Sequence, residues 1–268
     1  MIRRLFFFML AALIIVCTTA CSQENEKLSK QETTDYKSDV IKLDRGTSTL
    51  NIDLDTSNIQ IYASSESKVL SYEIKYVVRA AKSTDERKKM LGNFKQECTQ
   101  NNRNVNFSLN YYGRSKSMDI FTEIKLNIPR QITQLNVKQK SGTLKLNDRF
   151  IGALVVDSDD LNSEINELEG LINYTGNSGN VRVDCAKLYG ETNITLNKGN
   201  ISFKGSVKKG APYRFETDKG NINLNFPLDA DLEINSYGTV SHNQFSGKKG
   251  EVKVDVSTKM GQISIDGY

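Results

Sequence analysis

Apolar and polar positions alternate through the second half of the chain, and the alternation restarts after a recurring glycine. Ser178-Gly179-Asn180-Val181-Arg182-Val183 is followed by Lys198-Gly199-Asn200-Ile201-Ser202-Phe203 and by Lys219-Gly220-Asn221-Ile222-Asn223-Leu224. Ser141-Gly142-Thr143-Leu144-Lys145-Leu146, Tyr237-Gly238-Thr239-Val240 and Met260-Gly261-Gln262-Ile263-Ser264-Ile265 share the shape, and Ser57-Asn58-Ile59-Gln60-Ile61 is an early outlier. The glycines recur about every 20 residues, a period that marks stacked repeats. The interval from Gly142 to Gly179 is double, so the acidic stretch Asp157 to Leu161 should hold a missing corner. Glycine tolerates positive φ and asparagine is the next most tolerant residue, so each pair reads as a tight corner between strands. Alternation after the corner sends one face inward and the other to solvent. Hairpins would reverse direction at each corner, whereas a constant period with constant polarity favours parallel coils.

The first half differs. Residues 48–62, 68–78, 105–111 and 118–128 read as strands. Residues 83–100 read as a helix, with Ser83 as cap, Glu86 three residues on, and Met90, Leu91, Phe94 and Cys98 on one face. The expected fold class is all-β: a β-helix-like parallel β-solenoid over 136–268, capped by an N-terminal β-layer over 41–135 that carries this one helical insertion.

Composition agrees with a thin core. Hydrophobic residues are 38% of the 268, which suits stacked layers that each bury few side chains. The 36 Lys and Arg nearly balance the 32 Asp and Glu, which argues against a nucleic-acid partner.

The start of the chain reads as an export signal over 1–20. Arg3 and Arg4 form a positive n-region, Leu5 to Val16 an apolar run, and Thr18-Thr19-Ala20 a small-residue cleavage site. The run is shorter than the about 20 apolar residues of a membrane span. Cys21 follows directly, and this arrangement resembles the lipobox of bacterial lipoproteins, whose cysteine becomes the acylated N-terminus after cleavage. Thr18 departs from the leucine usual there, and Cys17 competes poorly because bulky Val16 precedes it. The competing reading is an ordinary cleaved signal. The resemblance implies lipidation at Cys21, a membrane-anchored extracytoplasmic address, and an unstructured polar tether over 21–40. More than one acyl chain is needed for stable anchoring, as lipoprotein modification provides.

The repeat pattern from about residue 45 to 268, with the lead-in Leu126-Asn127-Ile128-Pro129, resembles the putative-adhesin family of uncharacterised bacterial domains. The resemblance implies surface exposure and no established activity. Three readings follow: a non-catalytic binding or scaffolding domain facing an envelope polymer or protein, an accessory or sensor subunit of an envelope stress system, and a polysaccharide-active β-helix enzyme. An enzyme would show a cleft with convergent acids, and a binder a continuous face.

Little in the sequence points to catalysis. His242 is the sole histidine, and Gly205 and Gly210 have phosphate-loop spacing but lead into Ala211-Pro212 where Lys-Ser/Thr is required. Cys98 and Cys185, left once the leader cysteines are set aside, make no disulfide framework or metal motif, and Cys185 reads as a small buried residue following Val181 and Val183. No cofactor is expected. Asp157, Asp159, Asp160, Glu164, Glu167 and Glu169 form an acidic run that lacks the EF-hand pattern, which leaves a solvated coil edge against calcium binding. Lys208-Lys209 and Lys248-Lys249 lie in two similar corners and are the candidate partner-binding residues. They could meet anionic envelope polymers or simply guard strand ends.

Overall fold

The computed structural model describes residues 31–64, 69–80, 82–114 and 119–268. The export signal, Cys21 and the first part of the tether lie outside them. In chain order come β1 (Gln31–Lys42), β2 (Thr49–Ser64), β3 (Val69–Ala80), helix α1 (Thr84–Leu91), β4 (Phe94–Asn101), β5 (Asn104–Tyr111), β6 (Ile120–Pro129) and the long β7 (Gln134–Ser178). β8 (Val181–Leu188), β9 (Thr192–Lys198), β10 (Ile201–Val207), β11 (Tyr213–Lys219), β12 (Ile222–Phe226), β13 (Leu232–Asn243) and β14 (Val252–Gly267) complete the chain. Among the described residues the chain is all-β with one helix.

Each repeat contributes two strand arms that meet at a corner, and like arms stack in parallel. Before the corner, Thr192–Lys198 pairs with Tyr213–Lys219, which pairs with Val254–Met260. After it, Val181, Ile201, Ile222 and Ile263 stand side by side. The inward residues of both columns form one continuous buried core. Because β7 and β14 run through corners, the ladder β7-β8-β10-β12-β14-β11-β9 closes on itself as a seven-strand parallel ring. The expected solenoid is therefore met only loosely.

Gly199 shows why the corner demands glycine. Its φ is +142°, and a Cβ there would lie 1.6 Å from the Gly179 carbonyl oxygen of the preceding coil. The missing corner of the double interval sits at Leu161, whose carbonyl packs against Gly179. The early outlier is also in place, with Ser57 registered against Gly142.

The asparagines do different work from the one expected of them. Glycine takes the positive φ, and the asparagines form a ladder across coils. Asn162 Oδ1 accepts from the backbone N–H of Asn180 at 3.1 Å, Asn180 Oδ1 from that of Asn200 at 3.0 Å, and Asn200 Oδ1 from that of Asn221 at 2.8 Å. Asn221 Oδ1 accepts from the N–H of Gln262 at 2.9 Å. Replacing Asn200 with Ala removes the acceptor of the Asn221 N–H and the bond from Asn200 Nδ2 to Asn180 Oδ1, leaves the Asn200 backbone bond in place, and is expected to cost about 1 kcal/mol. Urea unfolding checks this, and an unchanged midpoint would show that water replaces the ladder without loss.

The C-terminal end is ordered differently from the chain. β14 lies between β12 and β13, with Ile263 registered against both Ile222 and Val240. The last repeat in sequence is thus an inner layer, and β13 closes the stack. β13 carries two register irregularities, at Tyr237/Thr239 and Val240/His242. Such bulges blunt an open edge.

The N-terminal layer brings two more corrections, and the stack brings a third. The helix is half as long as expected, ending at Leu91, because from Phe94 the chain pairs antiparallel with β5. Phe94 and Cys98 satisfy helical spacing and strand alternation alike, and the partner strand decides between them. The capping box between Ser83 and Glu86 is present, yet the buried residue of the helix is Arg87, bonded to Thr33 Oγ1 and Gln31 Oε1 of β1. Second, residues 31–40 of the expected tether belong to β1, a polar strand held by pairing with β3 along its whole length. Third, Cys185 is exposed. The register slips between Phe203 and Gly205 opposite it, so that Ala186 takes the inward place.

Candidate binding surface

The turn before β11 holds Lys208 and Lys209, and the loop before β14 holds Lys248 and Lys249. Since β11 pairs directly with β14, Tyr213 beside Val254, the two basic corners meet on one edge of adjacent strands rather than two coils apart. They are not a bare cationic patch. Lys209 Nζ pairs with Glu251 at 2.6 Å, Lys208 Nζ lies 5.4 Å from the centre of the Tyr189 ring, and Lys248 Nζ lies 4.6 Å from that of Phe245.

The acidic run is spread along the stack. Asp160 accepts from Ser178, Glu164 pairs with Lys145 at 3.1 Å, and Glu167 and Glu169 both pair with Arg149. The hydrogen bond from Arg149 holds the Glu169 carboxyl below its ordinary range. Among the described residues no three His, Cys, Asp or Glu side chains gather as metal ligands would. His242 Nε2 lies 3.4 Å from Asp266, and Ser264 donates to the same carboxylate. A hydrolytic triad needs the histidine between serine and acid, and here the acid is in the middle. Cys98 is half-buried, and burial, with the charge of Asp39, pushes its thiol up to about 11.

A larger feature lies on the outer face of the N-terminal layer. β1, β3, β6, β2 and β7 run side by side, and their registers align two polar rows across the five strands. One row is Tyr36, Lys75, Glu123, Asn58 and Thr143; the other is Ser38, Glu73, Lys125, Gln60 and Lys145. The row between them turns inward, with Ile74, Ile124, Ile59 and Leu144 in the core. Apart from Lys145, the rows line a trough of about 720 Å³, within the range of small-molecule sites.

Its polar groups are fixed sideways. Thr143 Oγ1 donates to Asn58 Oδ1 at 3.0 Å, and the Tyr62 hydroxyl donates to Gln60 Oε1 at 2.8 Å. Lys75 Nζ sits 3.4 Å from Glu123 and 3.6 Å from Glu32. Desolvation works to lower the Lys75 pKa, but these carboxylates outweigh it and hold the ammonium above its ordinary range. Tyr36 stands at the outer end with 69% of its surface exposed. Lys37, between the two β1 residues, points to the other face and donates to Gln96 at 2.5 Å.

The sequence reading missed this surface, although a signal for it is present. Glu73-Ile74-Lys75 and Glu123-Ile124-Lys125 are the same triplet, and antiparallel pairing sets Glu73 opposite Lys125 and Lys75 opposite Glu123. Opposite charges facing each other across strands favour that register.

Three comparisons bear on kinship. Several solved structures are similar over most of the chain. A crystal structure described as a putative cell adhesion protein, from Clostridium sporogenes, is 13% identical and aligns 87% of this chain with 100% of its own at a TM-score of 0.39. One described as a putative adhesin, from Bacteroides fragilis, is 12% identical, with 87% and 97% covered and a TM-score of 0.40. One described as a putative lipid binding protein, from Parabacteroides distasonis, is 14% identical, with 87% and 97% covered and a TM-score of 0.40. No curated protein matches the chain. The model of the Toastrack DUF4097 family matches residues 131–266, which is the span of the stacked corners from β7 to β14. That match covers half of the sequence and coincides with the repeat architecture, and the chain belongs to the Toastrack DUF4097 family.

Proposed function

We propose that the chain is an envelope-anchored lipoprotein whose folded part is a non-catalytic binding or scaffolding domain. The trough carries this reading: it is a polar concavity whose hydrogen-bonding groups are pre-positioned by neighbouring strands. Its two carboxylates, Glu73 and Glu123, stand opposite lysines in the register. A glycosidase-type acid would instead sit in an apolar pocket that keeps it protonated. The lysine edge of Lys208, Lys209, Lys248 and Lys249 is a subsidiary contact for an anionic envelope polymer, and its binding weakens with salt.

Anchoring rests on Cys21 and its leader. Only residues 22–30 separate Cys21 from β1, a stretch that spans at most about 30 Å when fully extended. A lipid at Cys21 therefore holds the N-terminal layer, and the trough with it, close to the bilayer. Among the described residues no helix is long and apolar enough to cross a membrane, so the lipid is the anchor in this reading. Replacing Cys21 with Ser should leave the protein unprocessed or release it from the membrane fraction on cell fractionation. A processed Cys21→Ser protein retained in membranes as well as the parent would overturn the lipid anchor.

A further inference from the structure

We infer that the trough binds an uncharged glycan chain; the inference rests on reading the domain as a binding module and names its ligand class. Its side chains are those that recognise a run of hydroxyl groups. Asn58 and Gln60 each offer an amide with donors and acceptors, Ser38 and Thr143 offer hydroxyls, and Lys75, Lys125, Glu73 and Glu123 offer donors and acceptors in alternation. A sugar carries adjacent donor and acceptor oxygens, so a grid of mixed groups satisfies it where an apolar ligand would leave the same groups desolvated and unpaired. Lys75, Lys125, Glu73 and Glu123 alternate along and between the rows, and Lys145, at the β7 edge, pairs with Glu164 outside them, so the grid carries no strong charge of one sign. A polyanion would meet Glu73 and Glu123, and a polycation would meet Lys75 and Lys125; like-charge contacts of this kind reject a partner.

Tyr36 adds the apolar element. Its ring sits on β1 at the open end of the trough, largely exposed. A sugar ring has an apolar C–H face as well as its hydroxyl rim, and a free tyrosine ring offers a flat partner with a polar tip. Dimensions also agree. Five strands at the usual spacing span about 19 Å, a width that takes a short oligosaccharide segment and leaves the rest of a longer chain in solvent. β1, β2, β3 and β6 precede residues 131–266, so all of this site but the β7 edge at Thr143 is built by the part of the chain outside the family match.

The test uses the full-length chain, purified in detergent, on beads bearing dextran, mannan or chitin oligosaccharides as neutral probes and polygalacturonate as the anionic one. Retention is expected on at least one neutral probe and should persist in high salt. Tyr36→Ala, and the pair Asn58→Ala with Gln60→Ala, should weaken that retention by about tenfold or more with unchanged melting. Asp229→Ala, at an exposed position between β12 and β13, should leave it intact. Absence of retention on every neutral probe overturns the glycan assignment, and so does retention that the trough variants share with the parent. Trough-dependent retention on polygalacturonate alone also overturns it while preserving a binding module. The anchor is judged separately by fractionation of Cys21→Ser.

Discussion

Gly199→Val should destabilise the fold by about 3 kcal/mol or more, from two independent costs at one position. The first is backbone strain, since φ at Gly199 is +142° and a β-branched residue is strongly disfavoured there. The second is steric. A Cβ would be placed 1.6 Å from the Gly179 oxygen, and the Gly199 oxygen is itself tightly covered by Gly220 of the next coil. Backbone lies on both sides, so no side chain can swing away to make room. The expected loss corresponds to a fall in melting temperature of roughly 6–12 °C for a chain of this size. Gly210→Ala is the control: φ there is +100°, but nothing lies within 4 Å of the added carbon, so only the strain is felt. Equal melting of Gly199→Val and the parent would mean that the coils do not stack through this corner.

Phe203→Ala is expected to cost about 3–5 kcal/mol. Phe203 is fully buried where the two columns face each other, 5.1 Å from the Phe215 ring and 5.6 Å from Phe226. Phe226 in turn stands edge-on to Phe245, 6.3 Å away, at the capped end of the stack. These residues come from three coils, so an alanine leaves a cavity that no single strand can close. Urea unfolding measures the loss. The double variant with Phe226→Ala should be less damaging than the two single effects added, because both open the same space. A loss below about 1 kcal/mol would place Phe203 outside a packed core.

The corners were legible because glycine at a fixed period has a local cause, a backbone conformation and a close approach that other residues do not tolerate. Leu161 shows that spacing can locate a corner even without its glycine. The asparagine ladder was half legible: the Gly-Asn pairs are plain in sequence, but the bond from Asn180 Oδ1 to the Asn200 backbone exists only once coils stack. Phe94 and Cys98 were misassigned because one spacing fits two periods, and the partner strand β5 chose between them. Cys185 was misplaced because β8 fits one residue more than β10 between paired positions, Val183 to Ala186 against Phe203 to Gly205, which hands the inward place to Ala186 and Leu188. The position of β14 inside β13 was invisible for a related reason, since every coil offers its neighbours the same apolar alternation. The trough depended on long-range antiparallel pairing, with the repeated Glu-Ile-Lys triplets as its one sequence trace. The two lysine corners are plain in the sequence, whereas their meeting on one edge and the pairing of Lys209 with Glu251 depend on β11 lying beside β14.

The most direct measurement of the binding role is photocrosslinking in intact cells, with a diazirine side chain placed in turn at Asn58, at Gln60, at Lys209 on the basic edge and at Asp229 between β12 and β13. The account predicts glycan-bearing adducts from Asn58 and Gln60, suppressed by Tyr36→Ala, and none from Asp229. Adducts that form equally at all four positions, or at Lys209 alone, would contradict it.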